Sequence, residues 1–265
     1  MTNNTQELAA NPMSADLQSA VDGVYLAFHR RHGSRSLPLD ICGYCCVSDE
    51  TAQRLRDQPL ARLTASDFRE YNGSAKSEIQ RAAEVGHYLP RMLALLANGE
   101  EIHHSLEIAL DRLGRCPADS WTESELAALC DFALAYFDAV LYGSLAHRWF
   151  DDPLSVLLMF HVGGLSIAPL LRRWEDCEHP SSTIQYVRAT YWDFWKEQRY
   201  TNAFADDRPE FQQQVHDWLL DPRCRRRFAE RLTTPEFLAS AEHERDTGCM
   251  SFALMTEAVF DQLTG

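Results

Sequence analysis

Apolar residues return every three or four positions along this chain, and strict alternation is almost absent, so the pattern predicts an all-α fold. The first stripe is Leu17, Val21, Val24, Tyr25 and Phe28, with Ser14 placed to cap its helix and His32-Gly33-Ser34 to end it. A short irregular stretch over 36–47 follows. Ser48 then reads as a second cap, with Asp49 and Glu50 in the first turn, where negative charge complements the helix dipole. Pro59 and Thr64 mark two further starts. The spacing of Ile79, Ala83, Val85, Tyr88, Leu89, Met92, Leu95 and Leu96 predicts a helix over 77–98 that Pro90 kinks or restarts. Another is expected over 102–113, closed by Gly114 and Pro117.

Thr122 and Glu125 form a capping box that opens the longest expected helix, running to about His147 with Leu126, Leu129, Phe132, Ala133, Tyr136, Phe137, Val140 and Leu141 inward. The apolar run 154–171 contains Ser155, His161, Gly163, Gly164, Ser166 and Pro169. A membrane span needs about 20 predominantly apolar residues, so the run predicts two core helices broken at Gly163-Gly164. Pro180 with Ser181 or Ser182 begins an aromatic helix whose stripe, Ile184, Val187, Tyr191, Phe194 and Trp195, is expected in the core rather than in a binding groove. Short helices follow Pro209, Pro222 and Pro235, and a last one spans about 250–263. The expected architecture is an irregular bundle of about a dozen helices with no regular solenoid repeat. It is expected to form one domain over 1–265; a division, if any, falls near 115–121, into 1–114 and 122–265.

Composition fits a packed globular chain, at 45% hydrophobic and 24% charged residues. Residues 1–10 lack the basic and apolar regions of a secretory leader, so a cytoplasmic location is expected. There the eight cysteines stay mostly reduced, and Cys130, in an apolar run, is expected to be a small core residue. The net charge of −14 argues against direct nucleic-acid binding, which relies on cations that neutralise phosphates, and favours basic partners. All basic residues except Lys76 and Lys196 are Arg. Forked carboxylate pairing and coding bias both account for that. The arginine runs around Arg30, Arg31 and Arg35 and from Arg223 to Arg227 lie at helix ends and read as carboxylate partners rather than phosphate sites.

The chain has no P-loop, no G-x-G-x-x-G, no G-x-S-x-G and no H-E-x-x-H, which puts a binding role ahead of catalysis. A helical enzyme with scattered groups would leave no such motif. Cys42-Gly-Tyr-Cys45-Cys46 is a C-x-x-C with a third thiol. It reads first as structural thiols, next as a zinc site with Cys42, Cys45, Cys46 and His87 as candidate ligands, and last as a redox pair, which would want a βαβ setting. The first expectation is therefore no cofactor, with zinc as the alternative. Three E-x-x-H spacings, Glu84 with His87, Glu100 with His103 and Glu101 with His104, match the pairs of di-iron bundles. Such a site also needs inward Glu residues on two more long helices, and the longest expected helix has only Glu123 and Glu125 at its start. Solvent-facing polar residues are the expected reading.

The order of motifs from Cys42 to Leu96 carries a resemblance. Cys42-Gly-Tyr-Cys45-Cys46, then Pro59-Leu-Ala-Arg-Leu63, then His87-Tyr-Leu-Pro-Arg91 resembles a family of uncharacterised bacterial helical proteins with the signature C-x-Y-C-C, P-L-R-x-L, H-F-L-P-R. Ala61 stands where that family has Arg. Members resemble immunity proteins encoded beside polymorphic toxins of the Rhs type, which implies a toxin-neutralising partner role.

The expected function is therefore an immunity-type protein that covers the basic active cleft of a cognate toxin domain with an acidic surface, away from membranes. Candidate partner-binding residues are Glu100, Glu101, Asp206, Asp207, Asp217 and Asp221. Two alternatives stand beside it: a zinc-binding or catalytic protein centred on the cysteine segment, and a helical scaffold for another protein.

Overall fold

Cap chemistry sets the helix starts. In the computed structural model, which describes residues 13–33, 38–44, 46–74, 76–145, 152–195, 199–244, 246 and 250–265, every regular element is helical and no strand occurs among the described residues. Helix α1, Ala15–Ala27, begins where the Ser14 hydroxyl accepts from the Leu17 amide. Ser48 does the same for α2, Asp49–Asp57, accepting from the Thr51 amide. Thr64 and Asp67 close a full capping box on α3, Ala65–Gly73, and Thr122 and Glu125 close another on α6, Glu123–Leu141. Between them lie α4, Ala82–Ala97, and the single turn α5, Asp111–Gly114.

Proline at the first helical position, where no amide hydrogen is needed, opens most of the second half. These helices are α7, Pro153–Val162, α9, Pro180–Thr190, α10, Pro209–Leu220, α11, Pro222–Arg231, and α12, Pro235–Ala241. Helix α8, Ala168–Asp176, follows the Gly163-Gly164 break, where Gly164 takes a positive φ of 78°. Helix α13, Phe252–Thr264, starts at Ser251. None of these helices is long and apolar enough to cross a membrane.

Several boundaries differ from the periodicity, each because another group claims the backbone. Helix α4 starts at Ala82, since the Asp40 carboxylate accepts from the Ser77 amide and the Gln80 amide donates to the Arg115 carbonyl, holding 77–80 out of helix. It does not restart at Pro90. The helix expected over 102–113 is a series of turns until α5, because Asn72 donates to the Ile102 carbonyl, an acceptor a helix would need. Helix α6 stops at Leu141, where Gly143, at φ 64°, and Ser144 donate back to Val140 and Ala139. Leu126 and Cys130 on α6 are exposed rather than buried, as are Ile79, ahead of α4, and Ala83 on its first turn; among the described cysteines the buried ones are Cys116, Cys177 and Cys224.

The most extensive pairing is α1 against α6, running antiparallel, with α4 packed on α1, α3 and α5. One connected apolar core runs from Leu17 to Leu263. Its first half centres on Phe68, Tyr71 and Tyr88. Its second half centres on Trp174, stacked on Trp218, with Tyr186 stacked on Phe228. Of the aromatic stripe, Ile184, Val187, Phe194 and Trp195 are buried and Tyr191 is partly so. The chain leaves α9 through a π turn, Tyr191–Trp195, where the Thr190 hydroxyl donates to the Tyr186 carbonyl and accepts from the Trp195 indole.

Candidate functional site

The loop carrying Cys42 and Cys46 is tied down at its start by a buried polar network. Glu84, 1% exposed on α4, accepts from the Asp40 amide, from the Tyr71 hydroxyl at 3.0 Å and from Arg81 at 3.0 Å. Asp40 in turn accepts from Ser77 and from the Gln80 side chain at 2.7 Å. Beneath it lies Arg112, 1% exposed, whose fork donates to the Asp40 and Tyr71 carbonyls, to Gln80 Oε1 and to Ser74 Oγ. The guanidinium also stacks on the Tyr71 ring at 3.8 Å. Burial raises the Tyr71 hydroxyl well above its ordinary pKa, so it stays a donor to Glu84. Of the E-x-x-H residues, Glu84 and His103 are buried rather than solvent-facing, whereas Glu100, Glu101 and His104 are exposed as expected.

His87 is half-buried on α4, with its Nδ1 at 3.3 Å from the Arg31 carbonyl, and burial holds its pKa below the ordinary imidazole value. Cys42 and Cys46 are partly buried in the loop, and Cys45 lies outside the described residues. Among the described residues no group of three or more His, Cys, Asp or Glu side chains is placed to hold a metal ion.

Tyr88 and Arg91 of the H-x-L-P-R motif act as clamps between segments. Tyr88 donates to the Leu55 carbonyl at 2.8 Å, and Arg91 Nε donates to the carbonyl of Leu63 at 2.9 Å. Thus the last residue of H-x-L-P-R holds the last residue of P-L-x-x-L. Arg31 binds Glu125 in a bidentate fork, donates to the Ser120 and Ala82 carbonyls and lies 4.8 Å from the Trp121 ring. Burial raises the Glu125 pKa, but the Arg31 and Thr122 contacts outweigh it and leave the carboxyl below its usual range.

Arginine forks recur through the second half. Arg173 is bidentate to Asp138, Arg231 donates to the Trp174 and Glu175 carbonyls, and Arg223 and Arg227 both reach Glu175. Within the arginine run on α11, Arg223 and Arg227 pair with Glu175 and Asp176 at the end of α8, while Arg225 donates to the Gln262 carbonyl. A lysine, with one compact charge, reproduces few of these multi-partner contacts.

The acidic candidates sit on different elements. Glu100 and Glu101 are exposed on the loop after α4, and Glu101 is bound by Arg69. Asp206, Asp207, Asp217 and Asp221 are all exposed on or beside α10, whose other face buries Phe211, Val215, Trp218 and Leu219. Asp221 also caps α11. Glu210 joins them on the outer face of α10, seven residues before Asp217; helical periodicity is the signal in the sequence that points to it. Arg112, Glu84 and Tyr71 have a fainter signal, a carboxylate and an arginine inside apolar stretches. Compared with known protein families, with curated proteins and with solved structures, the chain matches none.

His103 gives this region a pH signature. It is 6% exposed, and its Nδ1 has no hydrogen-bond partner among the described residues. Burial, with the nearby His104 and Lys76, lowers its pKa from 6.5 to about 4, against smaller opposing pulls from a hydrogen bond with the Asn72 backbone and from Asp111. The unfolded chain therefore takes up a proton that the folded chain refuses, and stability falls as pH drops through that window. Substituting His103→Gln is expected to flatten part of this slope, read as a smaller difference in urea midpoint between about pH 7 and about pH 5. An unchanged difference would remove His103 from the account.

Proposed function

We propose that this chain is an immunity-type protein that binds a toxin domain and neutralises it by covering a basic active face. The observation that carries the reading is the outer face of α10. Glu210 and Asp217 lie along it, Asp206 and Asp207 precede it and Asp221 ends it, all exposed. Their cations are distant or weakly held: Arg199 is 3.9 Å from Asp206, and Arg208 is 3.9 Å from Asp207. Many of the other arginines are engaged in internal forks, so the negative surplus stands at the surface. Such a face speeds encounter with a basic cleft and fixes its register, and it needs no catalytic group. The ordered motifs from Cys42 to Arg91 add the family expectation.

The test is protection of cells that express the toxin domain encoded nearest to this chain's gene. The combined substitutions Asp206→Lys, Asp207→Lys and Asp217→Lys are expected to abolish protection and to weaken binding at least about tenfold, with unchanged circular dichroism. Full protection by the folded variant refutes the α10 face. Failure of the wild-type chain to bind or protect refutes the immunity reading itself.

A further inference from the structure

Away from α10, a groove opens between α12 and α13. Both helices pack on α9, and between them they leave a cleft of about 510 Å3 rather than closing on each other. Its floor is Phe237 and Phe252, with ring centroids 6.5 Å apart, together with Leu232. Leu238 forms one wall at 51% exposure, and Ala253 and Phe260 of α13 line the other. A half-exposed leucine beside an aromatic floor leaves apolar surface open to water, as interaction sites do.

The charges of the cleft choose the guest. Its charged lining residues are Glu242 and Glu257, both at the surface and neither in an ion pair among the described residues. Their neighbour Glu244 shows the contrast, since Arg188 binds it at 2.7 Å while lying over the Phe252 ring at 5.2 Å. An apolar floor with two such carboxylates at the rim fits a ligand with apolar side chains flanked by cations. Neither wall offers a strand edge, so backbone pairing with an extended peptide is not available, and side chains must do the recognition.

We infer that the α12–α13 groove is a docking site for a cationic amphipathic helix of a protein partner, with its apolar face on Phe237, Leu238 and Phe252 and its Lys or Arg residues against Glu242 and Glu257. This site is separate from the α10 face and does not depend on the toxin reading.

The probe is a synthetic, fluorescently labelled helix-forming peptide with Leu at i, i+4 and i+7 flanked by Lys, titrated into the full chain by anisotropy. A matched peptide carries Glu in place of Lys. The Lys peptide is expected to saturate a single site, and a photoreactive residue on its apolar face to crosslink to α12 or α13. Leu238→Asp is expected to weaken it at least about tenfold. Glu242→Lys with Glu257→Lys is expected to do the same and to make the Glu peptide the better ligand. The Asp206→Lys, Asp207→Lys variant should bind as wild type, which separates the groove from general attraction to an acidic protein. The inference is overturned if the Glu242→Lys, Glu257→Lys variant binds the Lys peptide unchanged, or if both peptides bind the wild type equally. It is also overturned if light scattering shows a dimer that Leu238→Asp dissolves, which would assign the groove to a second copy of the chain.

Discussion

Replacing Arg112 with Met is expected to destabilise the chain by about 3–5 kcal/mol, since each buried acceptor left unmet costs roughly 1–3 kcal/mol. Met retains much of the apolar stem, so the loss reports the guanidinium. Four acceptors lose this donor: the carbonyls of Asp40 and Tyr71, Gln80 Oε1 and Ser74 Oγ. Gln80 and Ser74 are buried, where an unmet acceptor is costly, whereas the Tyr71 carbonyl keeps the Ser74 hydroxyl as a donor. Stacking on the Tyr71 ring is lost as well. The damage spreads along a defined route, because Asp40 begins the cysteine loop and Gln80 holds the approach to α4. Cleavage by added protease within 38–47 should therefore rise more than the global loss explains. Arg112→Lys restores the charge without the fork and should fall between the two. Urea unfolding followed by circular dichroism measures the loss, and a value under about 1 kcal/mol would show the network to be dispensable.

The second large effect is steric. Gly114 ends α5 against the end of α7, and a Cβ there would lie 1.9 Å from the Val162 carbonyl oxygen and 3.2 Å from the carbonyl carbon of Gly163. Both neighbours are backbone, so no side chain can rotate away. Helix α7 cannot yield easily, since Leu154, Val156, Leu157, Leu158, Met159 and Phe160 are all fully buried. Gly114→Ala is expected to cost about 3 kcal/mol, the upper end for overpacking, or to prevent folding. Gly73, on α3, is the control: a methyl group added there meets nothing within 4 Å, so Gly73→Ala should be neutral or mildly stabilising. Thermal melts of the pair decide the matter: equal melting temperatures would mean that α5 and α7 separate freely.

Charge is where sequence and structure inform each other most directly. A surplus of −14 excludes little about which surface meets a partner. The structure divides the acidic candidates: Glu101 is neutralised by Arg69, whereas the α10 group keeps its carboxylates outward with weak counter-charges. The arginine bias also acquires a structural counterpart, since Arg31, Arg112, Arg173 and Arg231 each hold several acceptors at once.

What the chain's own pattern determined is local. The all-α class, the caps at Ser14, Ser48, Thr64 and Thr122, the proline starts and the Gly163-Gly164 break all follow from contacts within about one helical turn, and such contacts are legible in consecutive residues. Tertiary structure decided where that logic is overruled. Asn72 takes the Ile102 carbonyl and prevents a helix that periodicity expects. Arg112 reaches Asp40 across 72 residues, Arg31 reaches Glu125 across 94, and Asn202 reaches Glu107 across 95. The same long-range packing buried Glu84 and His103, turned Leu126 and Cys130 outward, and left the groove between α12 and α13 open. A buried polar group must find its partner wherever the fold brings one, and sequence spacing carries no record of that distance.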